Sequence, residues 1–116
     1  MFKTEKDMIL ELRERMRDGE GQTKILHIFT KEEMKGKCRL FGKIELAPGS
    51  SIGTHPHDEE EEIYYILSGK GQVSDNGTVR DIGPGDALIT GGGESHNIAC
   101  TGDEPLVFMA AINLFK

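Results

Sequence analysis

The sequence has no tryptophan, only two cysteines and no apolar run long enough to cross a bilayer. Cys38 and Cys100 lie far apart in the chain and can form a disulfide only if the fold brings them together. Charged residues interrupt the apolar positions of the N-terminus, so it lacks the continuous apolar core of a secretory signal. These absences predict a reduced, cytoplasmic protein with no membrane partner.

The chain also lacks an excess of positive charge. Lysine and arginine number 14 against 20 aspartate and glutamate residues, which gives a formal net charge of -6. A net negative charge argues against nucleic acid or anionic lipid as the main partner. At 116 residues, the chain is long enough for one domain with a single modest core.

Glycine, in contrast, is abundant. The 15 glycines lie mostly between short runs that are rich in β-branched and aromatic residues. Such frequent turns between short strands predict an all-β sandwich or barrel, and Asn76-Gly77 favours a tight hairpin turn. The predicted strands cover residues 24–30, 38–46, 62–74, 78–83, 86–90, 96–100 and 105–115.

The N-terminus has a different pattern, which predicts a short α-helix. Thr4 is a suitable first cap, Asp7 follows at the third helical position, and Gly19 offers a stop. Apolar residues recur at helical spacing, at Met8, Ile9, Leu12 and Met16. We therefore expect a helical arm over residues 1–20 and a barrel domain over residues 21–116.

Two histidines, His55 and His57, stand directly before five consecutive acidic residues. Two residues apart on an extended strand, they point to the same face. An apolar barrel interior disfavours two adjacent imidazoles, because each needs a polar partner. A bound metal ion satisfies both.

Glu62 and His96 are the other candidate metal ligands. Glu62 has the wrong parity for a straight strand, so it joins His57 only if the chain turns at residues 58–61. His96 precedes another predicted strand. Three imidazole nitrogens and one carboxylate oxygen suit a divalent transition metal, namely manganese, iron, cobalt, nickel or zinc.

The spacing of these residues resembles the first motif of the cupins, G-x5-H-x-H-x4-E-x6-G. Every element is present, at Gly49, His55, His57, Glu62 and Gly69.

The second cupin motif, G-x5-P-x-G-x2-H-x3-N, is matched in part. Gly85, Gly93 and His96 stand at its spacing, while Gly91 replaces the usual proline and Cys100 the usual asparagine. The resemblance covers roughly residues 24–113 and is nearest to short, single-domain bacterial cupins. These are labelled oxalate-decarboxylase-like or mannose-6-phosphate-isomerase-like.

The resemblance implies a double-stranded β-helix, or jelly-roll, barrel in which the three histidines and Glu62 bind the metal. It also implies a homodimer, because small cupins pair through sheet edges and N-terminal arms. In some cupins the carboxylate lies one residue earlier, which makes Glu61 the second candidate for that ligand. The preceding acids, at 58–60, are interpreted as solvated turn charges whose field attracts a cation.

The role of three further side chains depends on whether each one faces the pocket. Tyr64 shares the parity of Glu62 and is the candidate catalytic residue for proton transfer, although a core role is an equal alternative. Cys100 shares the parity of His96 and lies either in the pocket or in the core. Lys43 faces either solvent or the metal, where it would balance an anionic substrate.

These features predict a metal-dependent enzyme acting on a small polar substrate, a hydroxy or keto acid or a sugar derivative. Isomerisation, decarboxylation and dioxygenation all remain open, and no motif places a second acid as a general base. The alternative is a non-catalytic cupin that binds or senses a small-molecule effector and holds a metal.

Overall fold

The computed structural model describes all residues, 1–116, and has the predicted all-β architecture. Ten strands form two antiparallel sheets in a jelly roll, a six-stranded sheet in the order β1-β2-β3-β10-β5-β8 and a four-stranded sheet in the order β4-β9-β6-β7. The strands are β1 (Ile9–Glu14), β2 (Gln22–Phe29), β3 (Cys38–Leu46), β4 (Ser51–Pro56), β5 (Glu60–Ser68), β6 (Gly71–Asp75), β7 (Thr78–Ile82), β8 (Ala87–Gly91), β9 (Ser95–Cys100) and β10 (Leu106–Leu114).

Alternation along the strands places one face of each sheet in a shared core. In β5, Tyr64 and Ile66 are buried while Ile63 and Tyr65 are exposed, as the period of two requires. The core joins both sheets and consists of twelve buried residues, among them Ile44, Phe108, Val73 and Ile98. This packing fixes which side chains of each strand point inward.

Glycines with positive φ lie in the turns that end several strands. Asn76 and Gly77 both have positive φ, 48° and 94°, and join β6 to β7 as the predicted hairpin. The apolar stretch 62–74, predicted as one strand, is divided at Gly69 into β5 and β6, which lie in different sheets. Gly69 has φ 86°, and a Cβ there would lie 2.3 Å from the Pro105 carbonyl oxygen.

The predicted N-terminal α-helix is wrong. Residues Glu5–Asp7 and Met16–Asp18 form only 3₁₀ turns, and between them β1 pairs antiparallel with β2 along its whole length. The Thr4 backbone N–H donates to Asp7 Oδ2 (3.3 Å), so the predicted cap exists but serves a single turn. An isolated helix of this length is marginal in water, whereas the edge of β2 supplies a ladder of hydrogen bonds.

Strand β4 was not among the predicted strands, because Gly53 and Pro56 obscure its pattern. It pairs with β9, with His55 opposite His96. The second 3₁₀ turn lies directly against β4: a Cβ on Gly53 would be 2.0 Å from the Arg17 carbonyl oxygen. No helix in the chain has the length and apolar character needed to cross a membrane.

Candidate metal centre

Four predicted ligands meet at one point inside the barrel. One ligand atom from each of His55, His57, Glu62 and His96 lies within 4.8 Å of the others, and all four residues are buried. The histidines come from the four-stranded sheet and the segment after β4, and Glu62 comes from β5 of the other sheet. The cluster therefore spans both sheets.

Local turns bring these ligands together. The chain turns between Pro56 and Glu60, where Glu59 has φ 56°, and this reversal brings Glu62 to the face of the histidines as predicted. The His57 backbone is held by the segment before β9, with its N–H donating to the Glu94 carbonyl (3.0 Å) and its own carbonyl accepting from Gly93 (2.9 Å).

Glu62 rather than Glu61 faces the histidines. Glu62 is buried, and its Oε1 lies 2.9 Å from His57 Nε2 and 3.1 Å from His96 Nε2. Glu61 is the preceding residue of the same strand and is absent from the cluster. The alternation of β5 thus decides between the two candidate carboxylates.

The three imidazoles present the same nitrogen to the centre. His96 Nε2 lies 3.0 Å from both His55 Nε2 and His57 Nε2. Each Nδ1 instead lies within hydrogen-bond distance of an oxygen outside the cluster. For His55 this is Gly53 O (2.7 Å). For His57 it is Glu60 Oε2 (2.5 Å), and for His96 it is Thr90 Oγ1 (3.0 Å).

These outer partners determine what the cluster can bind. Gly53 O and the Glu60 carboxylate only accept hydrogen bonds, so the proton of a neutral imidazole stays on Nδ1 and the Nε2 lone pair points inward. Several converging lone pairs beside a carboxylate repel one another unless a cation lies among them. The residues present therefore fit a divalent transition metal.

Without a metal, the pKa shifts differ among the members of the cluster. Burial raises the pKa of Glu62, but its contacts with the three imidazoles outweigh that effect and hold the pKa far below its usual range. Burial lowers the pKa of His96, which favours the neutral imidazole that binds metal. Burial also lowers the pKa of His57, but hydrogen bonds to Glu62 and Glu60 outweigh it and raise the pKa.

Tyr64 lies beside the cluster, as its parity predicted. Its ring stacks on His96 with centroids 5.0 Å apart, and its hydroxyl lies 3.4 Å from His96 Nε2. Burial, together with the charge of Glu62, raises the pKa of the phenol well above its usual value. Tyr64 is therefore a neutral hydrogen-bond donor.

Three members of the cluster, His55, His57 and Glu62, line a cavity of about 210 Å³. Apolar walls come from Ile44, Ile52 and Ile112, and charged or polar residues also line it, namely Glu11, Arg13, Arg17, His27 and Arg39. None of these five is among the candidate residues that the sequence indicated. The helical interpretation of the N-terminus hid the first three, because only pairing with β2 carries them to the cavity.

Glu60 also has a role that the sequence did not indicate. It is the first residue of β5 rather than a solvated turn charge, and it accepts hydrogen bonds from Arg39 Nε (2.9 Å) and Nη2 (2.8 Å). The hydrogen bond from Arg39 lowers the pKa of Glu60, against the effect of burial, and that from His57 adds to it. Arg39, Glu60 and His57 thus form a chain from the cavity wall to a ligand.

Two other candidate side chains lie away from the cavity. Lys43 extends on the outer side of the sheet, with Nζ 3.5 Å from Glu5 Oε1. Cys100 belongs to the apolar core, where its thiol donates to the Glu104 carbonyl (3.2 Å). Neither residue lines the cavity.

Comparison with known proteins agrees with the fold and the cluster. The family model described as "Cupin domain" matches residues 42–112. The oxalate-binding protein of Thermotoga maritima is 48% identical over 99 residues, which cover 85% of this chain and 82% of that protein. The crystal structure of a predicted oxalate decarboxylase from Thermotoga maritima superposes with a TM-score of 0.92 at 44% identity, covering 98% of this chain and 99% of that one.

More distant relatives come from polyketide pathways. The tetracenomycin polyketide synthase protein TcmJ of Streptomyces glaucescens is 31% identical over 85 residues, 73% of this chain and 56% of that protein. The polyketide cyclase RemF of Streptomyces resistomycificus shares the fold, with a TM-score of 0.79 at 20% identity, covering all of this chain and 81% of that one. The matched family model and the oxalate-binding relative together establish that the chain belongs to the cupins, as a small bacterial-type member.

Proposed function

We propose that this cupin holds a divalent metal through His55, His57, Glu62 and His96 and uses it to bind a small carboxylic acid of the oxalate type. The observation that carries the proposal is the convergence of three Nε2 atoms and one carboxylate, with His55, His57 and Glu62 open to the cavity. A metal bound there supplies a Lewis-acid centre with open positions for carboxylate oxygens. The name of the Thermotoga oxalate-binding relative supports this choice of ligand.

The chain's own residues suit such a ligand. Arg13, Arg17 and Arg39 line the cavity, and guanidinium groups match the geometry of carboxylates. Its isoleucine walls limit bulk water, which strengthens charge interactions inside. We propose that Tyr64 orients the ligand by donating a hydrogen bond, since its raised pKa keeps the phenol protonated.

Two functions use the same site. As an enzyme, the chain would decarboxylate or otherwise transform the bound acid, and the His27–Glu11 pair (2.8 Å) in the cavity wall favours this by offering a proton-transfer group. As a binding or sensor protein, it would hold the same acid without turnover. The name of the oxalate-binding relative favours this second function.

The test begins with metal content. Plasma mass spectrometry on untagged protein is expected to find about one transition-metal ion per chain, and none in the His55→Ala, His57→Ala double variant. Calorimetric titration of the metal-loaded protein with oxalate then measures binding, and formate and carbon dioxide assays measure turnover. Oxalate binding without product supports the binding function, and no oxalate binding by loaded protein overturns the proposal.

We also propose that the chain is a homodimer in the cytoplasm. Apolar side chains continue across the outer face of the six-stranded sheet, where Ile63 pairs with Ile89 and Tyr65 with Met109. Tyr65 and Ile89 remain 48% and 57% exposed, which is typical of a patch that a partner covers. The free thiols of Cys38 and Cys100 support a reducing compartment.

A further inference from the structure

We propose that Arg17 is a specificity residue that recognises the second negative charge of a dianionic ligand at this centre. The inference rests on the proposed function and adds to it the charge class of the ligand. It concerns a segment that the sequence pattern had placed in a helix far from the metal. It rests on the unpaired guanidinium of Arg17, on the position of the Met16–Asp18 turn and on the net charge around the cavity.

The arginines at the cavity differ in their partners. Arg39 is held by two hydrogen bonds to Glu60, so its charge is already compensated. Arg13 Nε lies 3.8 Å from Glu11 Oε2 and shares that carboxylate with His27. Arg17 lines the same cavity, yet its guanidinium makes no ion pair or hydrogen bond within the chain. It is the one cavity arginine left free to bind an anion.

The backbone of Arg17 is fixed against the metal-binding strand. The 3₁₀ turn Met16–Asp18 is closed by hydrogen bonds from Asp18 N to Arg15 O (3.0 Å) and from Gly19 N to Met16 O (3.0 Å). The absence of side chains at Gly19 and Gly53 lets the turn touch β4, the strand of His55. This contact fixes the position at which Arg17, an exposed residue, borders the cavity.

The charges around the cavity favour a dianion. A divalent metal with one carboxylate ligand, Glu62, leaves one positive charge, and the pairs Arg39–Glu60 and Arg13–Glu11 contribute none. Arg17 adds a second positive charge. A ligand with two carboxylates therefore neutralises the site, whereas a monoanion leaves one charge uncompensated.

Oxalate and oxamate provide the test, because they have the same size and differ by one negative charge. Metal-loaded wild type, Arg17→Gln, Arg17→Lys and Arg15→Gln proteins are titrated with each compound, and the metal content of every sample is measured. Arg15→Gln is the matched control. Arg15 is exposed, has the same left-handed backbone (φ 48°) two residues away and does not line the cavity.

Arg17→Gln is expected to weaken oxalate binding about fivefold and oxamate binding by less than about twofold, as for one charged contact at an exposed site. Arg17→Lys should recover part of the loss, and Arg15→Gln should bind both ligands as wild type does. Equal oxalate affinities in Arg17→Gln and Arg15→Gln overturn the role of Arg17 while leaving the proposed function intact. If loaded wild type binds neither compound, it is the proposed function that fails.

Discussion

At the scale of single residues, the acceptors behind the imidazoles are as important as the imidazoles themselves. Glu60 accepts the hydrogen bond of His57 Nδ1 and is itself held by Arg39. Such partners orient a ligand ring and raise the basicity of its metal-binding nitrogen. The site therefore consists of the four candidate ligands and of the groups behind them that hydrogen-bond to the imidazoles. The motif specifies only the ligands.

Glu60→Gln is expected to weaken metal binding about tenfold, because the amide is a poorer acceptor and no longer pairs with Arg39. Competition with a chromophoric chelator measures the affinity. Glu61→Gln is the matched control, since Glu61 is the next residue of β5, carries the same charge and lies outside the cluster. Equal metal affinities in the two variants would show that Glu60 does not support His57.

The four candidate ligands could be predicted from the sequence, and the groups that hydrogen-bond to the imidazoles from behind could not. The spacing of His55, His57 and His96 places the imidazoles together wherever the jelly roll forms. Glu60 was misjudged because its role depends on where β5 begins, and five consecutive acids give no signal of that boundary. Arg39 is distant in sequence and becomes a partner only through the pairing of β3 and β5 with β10.

At the scale of elements, the contact between the Met16–Asp18 turn and β4 is the tightest constraint near the site. Gly53 lies where any side chain would meet the backbone of Arg17 rather than a flexible side chain. The turn can therefore keep its position only while this residue is glycine.

Gly53→Ala is expected to lower the free energy of unfolding of the metal-free protein by about 2 kcal/mol, because the new methyl overlaps the Arg17 carbonyl and the turn must move. Urea denaturation measures the loss. Gly83→Ala is the control, since a Cβ at Gly83 meets nothing within 4 Å and its φ is not positive. A similar stability for both variants would contradict the close approach of turn and strand.

The elements that the sequence misrepresented are β4 and β1, the strand that precedes the turn. β1 was predicted as a helix because its apolar residues fit both periods, and only the free edge of β2 decides between them. β4 was not predicted because Gly53 and Pro56 have low strand propensity. The longer strands were recognised because β-branched and aromatic residues fill them.

At the scale of the whole molecule, the metal is expected to stabilise the fold substantially. A ligand that binds only the native state at one hundred times its dissociation constant contributes about 2.7 kcal/mol. For a domain of this size, that corresponds to a rise in melting temperature of about 10 °C. Scanning fluorimetry before and after chelation measures the change.

The His55→Ala, His57→Ala double variant provides the comparison for this measurement. It should melt at the same temperature with and without metal, because half of the imidazole and carboxylate ligands are gone. A wild-type protein that is equally stable in chelator and in excess metal would contradict a metal role in the native state.

The proposed homodimer is tested on the outer face of the six-stranded sheet. Ile89→Lys should convert a wild-type dimer to a monomer in sedimentation velocity at micromolar concentration, because it buries a charge in the apolar patch. Val79→Lys is the control, since Val79 is similarly exposed (62%) but lies on β7 of the other sheet. A wild-type monomer at this concentration, or a dimer in all three proteins, would exclude this interface.

The position of the ligands also has a kinetic consequence. The histidines belong to one sheet and its flanking segment, and Glu62 belongs to the other, so a bound ion ties the two layers of the sandwich together. The layers cannot separate until at least one coordination bond has broken. A nascent chain, for its part, has no complete ligand set until His96 has been synthesised and both layers have met. A bound ion would therefore slow unfolding and lengthen the lifetime of the native state, and the folding rate would stay largely unchanged.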